Sequence, residues 1–131
     1  MDLAEAEARL GLAFPERHRE AMRNASDPIH KACDFLIPAS PHKLLRLVEV
    51  NEFLHAGDHW KPWPSFLIAF ASNGCGDYFA YDVRLRPPRV IYVEPDHTIE
   101  EDLTAGDGLD FGSFEAWYAV RLAARPRADV R

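Results

Sequence analysis

Cysteine is scarce in this 131-residue chain, which has only Cys33 and Cys75. Two thiols cannot supply the dense disulfide framework that holds small secreted domains together. The amino terminus is acidic and shows no export signal, so we expect a cytoplasmic protein with free thiols. No apolar run is long enough to span a bilayer, and we therefore expect no membrane partner.

Positive charge is absent from one long segment of the chain. Between Glu94 and Asp110 there are seven carboxylates and no Lys or Arg, and the formal net charge of the whole chain is −6. A surface of this kind repels nucleic acid and anionic lipid and attracts cationic proteins. The charge pattern therefore disfavours direct binding of DNA or RNA.

The chain does contain enough apolar material for one core. Hydrophobic residues make up 47% of the sequence, and its length fits one compact domain. We predict a single domain over residues 1–125, followed by a flexible Arg-rich tail over residues 126–131. No internal repeat or low-complexity tract is visible.

Apolar residues at helical spacing predict three helices. The first spans Asp2–Leu10 and stops before a glycine. The second begins at Pro15, which suits a first helical turn. The last begins after Ser113 as N-cap and ends at Pro126. Their predicted buried faces contain, in chain order, Leu3, Ala6 and Leu10; Phe14, His18 and Met22; and Phe114, Trp117, Tyr118 and Leu122.

Three further segments predict a sheet. Phe66–Ala71 is apolar throughout, which indicates a strand covered on both faces. The turn Asn73–Gly76 contains residues that tolerate a tight reversal, and it leads into a second strand, Tyr78–Val83. Val90–Val93 provides a third strand.

The remaining segments carry weaker patterns. Asp27–Pro41 has three prolines and reads as a loop with one short extended piece. Leu44–Val48 is interpreted as an edge strand that leads into a brief helix through Val50, Phe53 and Leu54. Asp96–Gly112 is interpreted as a long acidic loop with one helical turn near residues 100–103.

Four stretches in this order resemble the SUKH superfamily, also called Smi/Knr-type. They are LGLAFPERH at residues 10–18, NGCGDYFAYDV at 73–83, VIYVEPDH at 90–97 and FGSFEAWY at 111–118. The resemblance implies an α+β fold with a small, mostly antiparallel, curved sheet and helices packed on one side. It also implies a non-enzymatic role, because bacterial members are commonly immunity proteins that bind and neutralise a toxin domain, often a nuclease. Fungal relatives regulate cell-wall synthesis.

Together with the charge pattern, this resemblance predicts a partner-binding surface for a basic toxin protein. Nucleases bind phosphates and tend to be basic, so an acidic inhibitor is steered onto them. Trp60 or Trp63 is the candidate anchor, with a core role as the alternative. The carboxylates expected to pair with toxin cations are Asp96, Glu100, Glu101, Asp102 and Asp107.

Three chemical alternatives are weaker. Cys75 lies on a tight turn, and with His97 and the turn amides it could serve a small enzyme or ligand-binding domain. His55 and His59 have metal-like composition, but Gly57 argues against the helix that would bring them together. Asp77 and Asp82 could form a carboxylate pair, yet in a strand they point to opposite faces. No catalytic residue, metal or cofactor is predicted, and a regulatory scaffold with a resident cellular partner remains an alternative function.

Overall fold

The computed structural model describes residues 1–57, 63–73, 76–94, 99–104 and 110–124. The first half of the described chain is mainly helical, and most of the strands lie in the second half. The helices are α1 (Leu3–Leu10), α2 (Glu16–Arg23), α3 (Ile29–Ala32), a 3₁₀ helix (Lys43–Leu45), α4 (Leu47–His55), α5 (Ile99–Thr104) and α6 (Phe114–Ala124). The strands are β1 (Asp34–Phe35), β2 (Leu67–Ser72), β3 (Tyr78–Asp82), β4 (Arg89–Val93) and β5 (Asp110–Gly112).

The strands form one sheet in which each strand pairs with the next one along the chain. Their order is β1-β2-β3-β4-β5, and all four pairings are antiparallel. Ala80 lies opposite Ala69 on one side and Ile91 on the other, at the centre of the sheet. The α+β class and the antiparallel sheet predicted from the sequence are confirmed.

Capping residues define both ends of α1 and the start of α6. Asp2 caps α1, because its Oδ1 accepts the Glu5 backbone N–H at 2.8 Å. Gly11 ends that helix in the left-handed conformation, with φ of 69°. At the other end of the chain, the Ser113 hydroxyl accepts the Ala116 N–H at 3.1 Å and caps α6. These are the caps that the sequence predicts.

The core is an aromatic cluster between the sheet and the helices. Trp117 is fully buried. Its ring stacks on Phe35 with a centroid distance of 6.2 Å, and it meets Phe70 edge-on at 4.9 Å. Phe114 lies beside it at 5.5 Å. Each residue of Leu67–Ala71 is at most 1% exposed. This agrees with the prediction, from the apolar run, of a strand covered on both faces.

One edge of β2 is completed partly by side chains rather than by a strand. β1 pairs with only the last part of β2. Farther back, the Asn51 amide accepts from the Ala69 N–H and donates to the Ala69 carbonyl, both at 2.8 Å. The Leu67 carbonyl lies 2.9 Å from both His55 Nε2 and Trp63 Nε1. Asn51 and His55 are four residues apart on α4, so one helix face supplies both.

A carboxylate ties α6 to the rest of the helical layer. The Tyr118 hydroxyl donates to Asp27 Oδ1 at 2.7 Å, and the Arg17 guanidinium lies 3.3 Å from Oδ2. Burial acts to raise the pKa of Asp27, but the Ile29 N–H, Tyr118 and Arg17 outweigh it and hold that pKa below its ordinary 3.8.

Two weaker sequence predictions are wrong in detail, and one short strand was missed. The segment Leu44–Val48 forms no edge strand but only one isolated parallel β-bridge, between Arg46 and Ile37. It contains the end of the 3₁₀ helix and the start of α4, where Leu47 and Val48 are buried. The segment interpreted as a loop after Asp27 contains α3, with Ile29 and Ala32 buried. β5 was not predicted at all, since its three residues are too few for a periodic pattern.

The described residues share one hydrophobic core. Residues 126–131, predicted as a flexible tail, lie outside the described residues. No helix in the described part of the chain is both long enough and apolar enough to cross a bilayer.

Candidate protein-binding surface

Helix α5 presents part of the predicted acidic segment at the surface. It packs against β4, with Ile99 and Leu103 partly buried against the core. Glu100 and Glu101 are exposed on the outer side. Asp102 has the opposite environment: it is 1% exposed, and its Oδ2 accepts the Glu94 N–H at 3.3 Å. Asp102 therefore joins α5 to the end of β4 and is not accessible to a partner.

An open hollow of about 410 Å³ adjoins α5 and is lined by apolar residues and two ion pairs. Leu103 of α5 contributes to one wall. Arg89 pairs with Asp110, and Arg84 Nη2 lies 2.8 Å from Asp82 Oδ2. Leu85 and Ile91 complete the lining.

The pair at the end of β3 is held rigidly. Arg84 donates to Asp82 from its backbone N–H at 3.1 Å, from Nε at 3.0 Å and from Nη2 at 2.8 Å. Its guanidinium also lies 3.7 Å from the centre of the Phe66 ring. Burial acts to raise the pKa of Asp82, but the Arg84 hydrogen bonds outweigh it and lower that pKa below 3.8. Asp82 is therefore an ionised structural group.

Trp63 is not the exposed anchor that one sequence hypothesis required. It is 6% exposed, and its indole N–H donates to the Leu67 carbonyl. Its ring meets Tyr78 edge-on at 5.7 Å. The alternative, a core role, describes its position, because the indole both packs and satisfies a backbone carbonyl.

Several other predicted residues lie outside the described residues, and their roles stay predictions. These are Trp60, Asp96 and Asp107 of the proposed surface, and Cys75, His97 and His59 of the chemical alternatives.

The described members of the chemical alternatives have structural partners. His55 contacts the Leu67 carbonyl. Asp77 accepts hydrogen bonds from Asn73 and from the Tyr92 hydroxyl, which link the β2–β3 turn to β4. Asp77 and Asp82 therefore lie at opposite ends of β3 with separate partners. Among the described residues, no group of three His, Cys, Asp or Glu side chains is arranged to hold a metal.

The other thiol, Cys33, lies in a protected position. It is partly buried and free, and burial raises its pKa to about 12. A thiol with this pKa is almost entirely protonated at neutral pH and is a poor nucleophile.

Sequence reasoning missed an apolar groove beside α4. Leu44 is 76% exposed and Phe53 is 54% exposed. They line a groove of about 390 Å³, called here the α4 groove, together with Lys43, Arg46, Glu49, Val50 and Tyr78. The helix predicted through Val50, Phe53 and Leu54 exists, but Phe53 lies outside its buried stripe. A helical wheel anchored on Val50 and Leu54 places Phe53 at the margin of that stripe.

Comparison with known families gives one match. The family model described as SMI1 / KNR4 family (SUKH-1) matches residues 1–118. Comparisons with curated proteins and with solved structures each gave no significant match. The matched range includes every helix and strand except the last turns of α6. The chain therefore belongs to the SMI1/KNR4 (SUKH-1) family.

Proposed function

We propose that this domain is a non-enzymatic immunity protein that binds a cognate toxin and neutralises it. The family match over residues 1–118 is the observation that carries the proposal, since the SUKH resemblance implies a toxin-binding role. The arrangement of the described polar groups supports it. Asp27, Asp77, Asp82 and Asp102 each hold other parts of the same chain together.

The surface we assign to the toxin is the outer side of α5, with Glu100 and Glu101 at its centre. Both side chains are exposed, and the chain around them carries no Lys or Arg between Glu94 and Asp110. A nuclease presents cations to the phosphates of its substrate. Carboxylates on α5 would meet those cations, speed association and occupy the groove that nucleic acid needs.

The adjoining hollow supplies a place for one apolar side chain of the toxin. Leu85, Ile91 and Leu103 line it, and Leu85 is 42% exposed. Charged rims with a small apolar centre are typical of protein interfaces. Burial of an apolar toxin side chain in the hollow would increase the affinity. The carboxylates of α5 would increase the association rate and the specificity.

Charge reversal on α5 tests this assignment. The double variant Glu100→Lys/Glu101→Lys is expected to weaken binding about tenfold or more, mainly through slower association. Glu20→Lys, an exposed position on α2, is the matched control and is expected to bind like the wild type. The measurement is a kinetic titration against a candidate toxin domain, chosen from any toxin-like coding sequence found next to the gene. It is made at low and at high salt, and the wild-type complex is expected to weaken with salt.

The two parts of the proposal fail in different ways. If the charge-reversed protein binds with unchanged rates and salt dependence, α5 is not the toxin surface. If the wild-type protein forms no complex with the candidate toxin domain, the immunity role itself is wrong. The remaining functions are then a regulatory scaffold with a resident cellular partner and a small enzyme or ligand-binding domain that uses Cys75 and His97.

A further inference from the structure

The α4 groove has no role in the proposed toxin contact. It lies at the start of β3, where Tyr78 contributes to its lining, whereas the hollow beside α5 lies at the other end, at Asp82. The intervening strand is five residues long, which separates its ends by roughly 13 Å. Leu44 and Phe53 are the two most exposed large apolar side chains of the described residues. Neighbouring exposed apolar side chains of this kind mark interaction sites.

We propose that the α4 groove is the interface of a two-fold symmetric homodimer. In a two-fold interface the same patch meets itself, so the patch must be complementary to its own rotated copy. The α4 groove offers the two features that such a contact uses, exposed apolar side chains and charges of both signs. It pairs a protruding Leu44 and Phe53 with a concave lining that includes Val50 and Tyr78.

The charges of the groove follow the order that an antiparallel pairing needs. Lys43 and Arg46 lie at the amino-terminal end of the segment, and Glu49 lies one turn farther along. Rotation by a half-turn brings the basic end of one copy to the acidic turn of the other. Glu49 is half-exposed, and its contact with Arg46 in the same chain is long, at 3.8 Å, so it retains capacity for Lys43 of the second copy.

The charge of the groove lining also differs in sign from the net charge of the chain. Two copies with a net charge of −6 repel one another. The lining of the α4 groove carries two cations and one anion, which makes it a weakly positive region on an acidic chain. Contact through this lining therefore brings no excess of carboxylates from the two copies together. The dimer leaves both α5 surfaces open at the far ends of the β3 strands.

Sedimentation velocity over a wide range of protein concentration tests the proposal with the protein alone. The wild-type protein is expected to pass from monomer to dimer as concentration rises. Leu44→Glu and Phe53→Glu are expected to raise the dimer dissociation constant about thirtyfold or more, because each places a charge at the centre of the interface. Val120→Glu, at a 51%-exposed apolar position on α6, is the matched control and is expected to dimerise normally.

A charge swap tests the antiparallel arrangement itself. Lys43→Glu is expected to weaken the dimer, because it opposes two carboxylates across the interface. Adding Glu49→Lys to the same chain recreates the pair with reversed signs and is expected to recover part of the lost affinity. Circular dichroism and thermal unfolding verify that each variant is folded.

Three results would overturn the proposal. A wild-type protein that stays monomeric at every concentration excludes the dimer. A dimer that persists in Leu44→Glu and Phe53→Glu places the interface elsewhere. A Lys43→Glu/Glu49→Lys double variant that dimerises more weakly than Lys43→Glu alone contradicts the antiparallel pairing.

Discussion

Replacing Asn51 with leucine is expected to lower the free energy of unfolding by about 2–6 kcal/mol, because it leaves two buried backbone groups without a partner, at about 1–3 kcal/mol each. Asn51 is fully buried, and its amide satisfies both the N–H and the carbonyl of Ala69. It also donates to the Leu47 carbonyl at 2.9 Å. Leucine has a similar size and leaves little cavity, so the loss comes from hydrogen bonding. The total free energy of unfolding of a typical domain is only about 5–15 kcal/mol, so this loss is a large fraction of it.

Chemical denaturation and hydrogen exchange measure this effect together. The Ala69 amide should exchange much faster in Asn51→Leu than in the wild type, since its acceptor is gone. Glu52→Leu, the next residue on α4, is the control. Its side chain forms an exposed ion pair with Arg9, so we expect the free energy of unfolding to change by no more than about 0.5 kcal/mol. A stable Asn51→Leu variant with a protected Ala69 amide would show that α4 does not complete the edge of β2.

Acidification from neutral pH to pH 5 is expected to destabilise the protein through His18. This side chain is fully buried, its ring stacks on Phe114 at 4.5 Å, and burial lowers its pKa well below the ordinary 6.5. Burial also raises the pKa of Tyr81, so its hydroxyl stays protonated, and this hydroxyl is hydrogen-bonded to His18 Nδ1 at 2.6 Å. Nε2 has no hydrogen-bond partner among the described residues. The charged ring carries a proton on both nitrogens, so its Nε2–H would have no acceptor among the described residues.

The sign of the pH dependence follows from the unfolded state. In the unfolded chain His18 takes up a proton as the pH falls below 6.5, whereas in the folded protein it stays neutral. Each pH unit below 6.5 therefore lowers the stability by up to about 1.4 kcal/mol, until the pH reaches the folded-state pKa. Above 6.5 the contribution is constant. Asp27 and Asp82 have pKa values below 3.8, so they lose their stabilising ionisation only at lower pH.

Urea unfolding at a series of pH values between 5 and 7.5 tests this assignment. His18→Phe keeps an aromatic ring and removes the titrating group. Its absolute stability changes, because Tyr81 loses its partner, but its pH dependence should flatten over this range. An unchanged slope in His18→Phe would assign the acid sensitivity to another group.

The sequence predicted those helices and strands whose conformation depends on local features, namely the spacing of apolar residues, helix caps and turn residues. The pattern of α6 identified Phe114 and Trp117 as core residues, and the caps at Asp2 and Ser113 fixed two helix starts. The three long strands were predicted because each is an apolar run bounded by turn residues. His18 was placed on a buried face for the same reason, since it follows Phe14 at helical spacing.

What the sequence did not predict depends on contacts between distant segments. Asn51 lies four residues after Leu47, within the apolar stripe of α4. This spacing could have indicated that the Asn51 side chain is buried. Its partner on β2 lies 18 residues away and cannot be inferred from spacing. Likewise, Asp102 lies among exposed carboxylates in the sequence, and only packing of α5 on β4 buries it.

Growth of cells that express a candidate toxin domain, chosen from any toxin-like coding sequence next to this gene, tests the central claim most directly. The wild-type domain is expected to restore growth and to copurify with the toxin as a stoichiometric complex. The Glu100→Lys/Glu101→Lys variant, at equal abundance, is expected to fail in both. Failure of the wild-type domain to protect, or equal protection by the charge-reversed variant, would contradict the account of an acidic immunity protein that acts through α5.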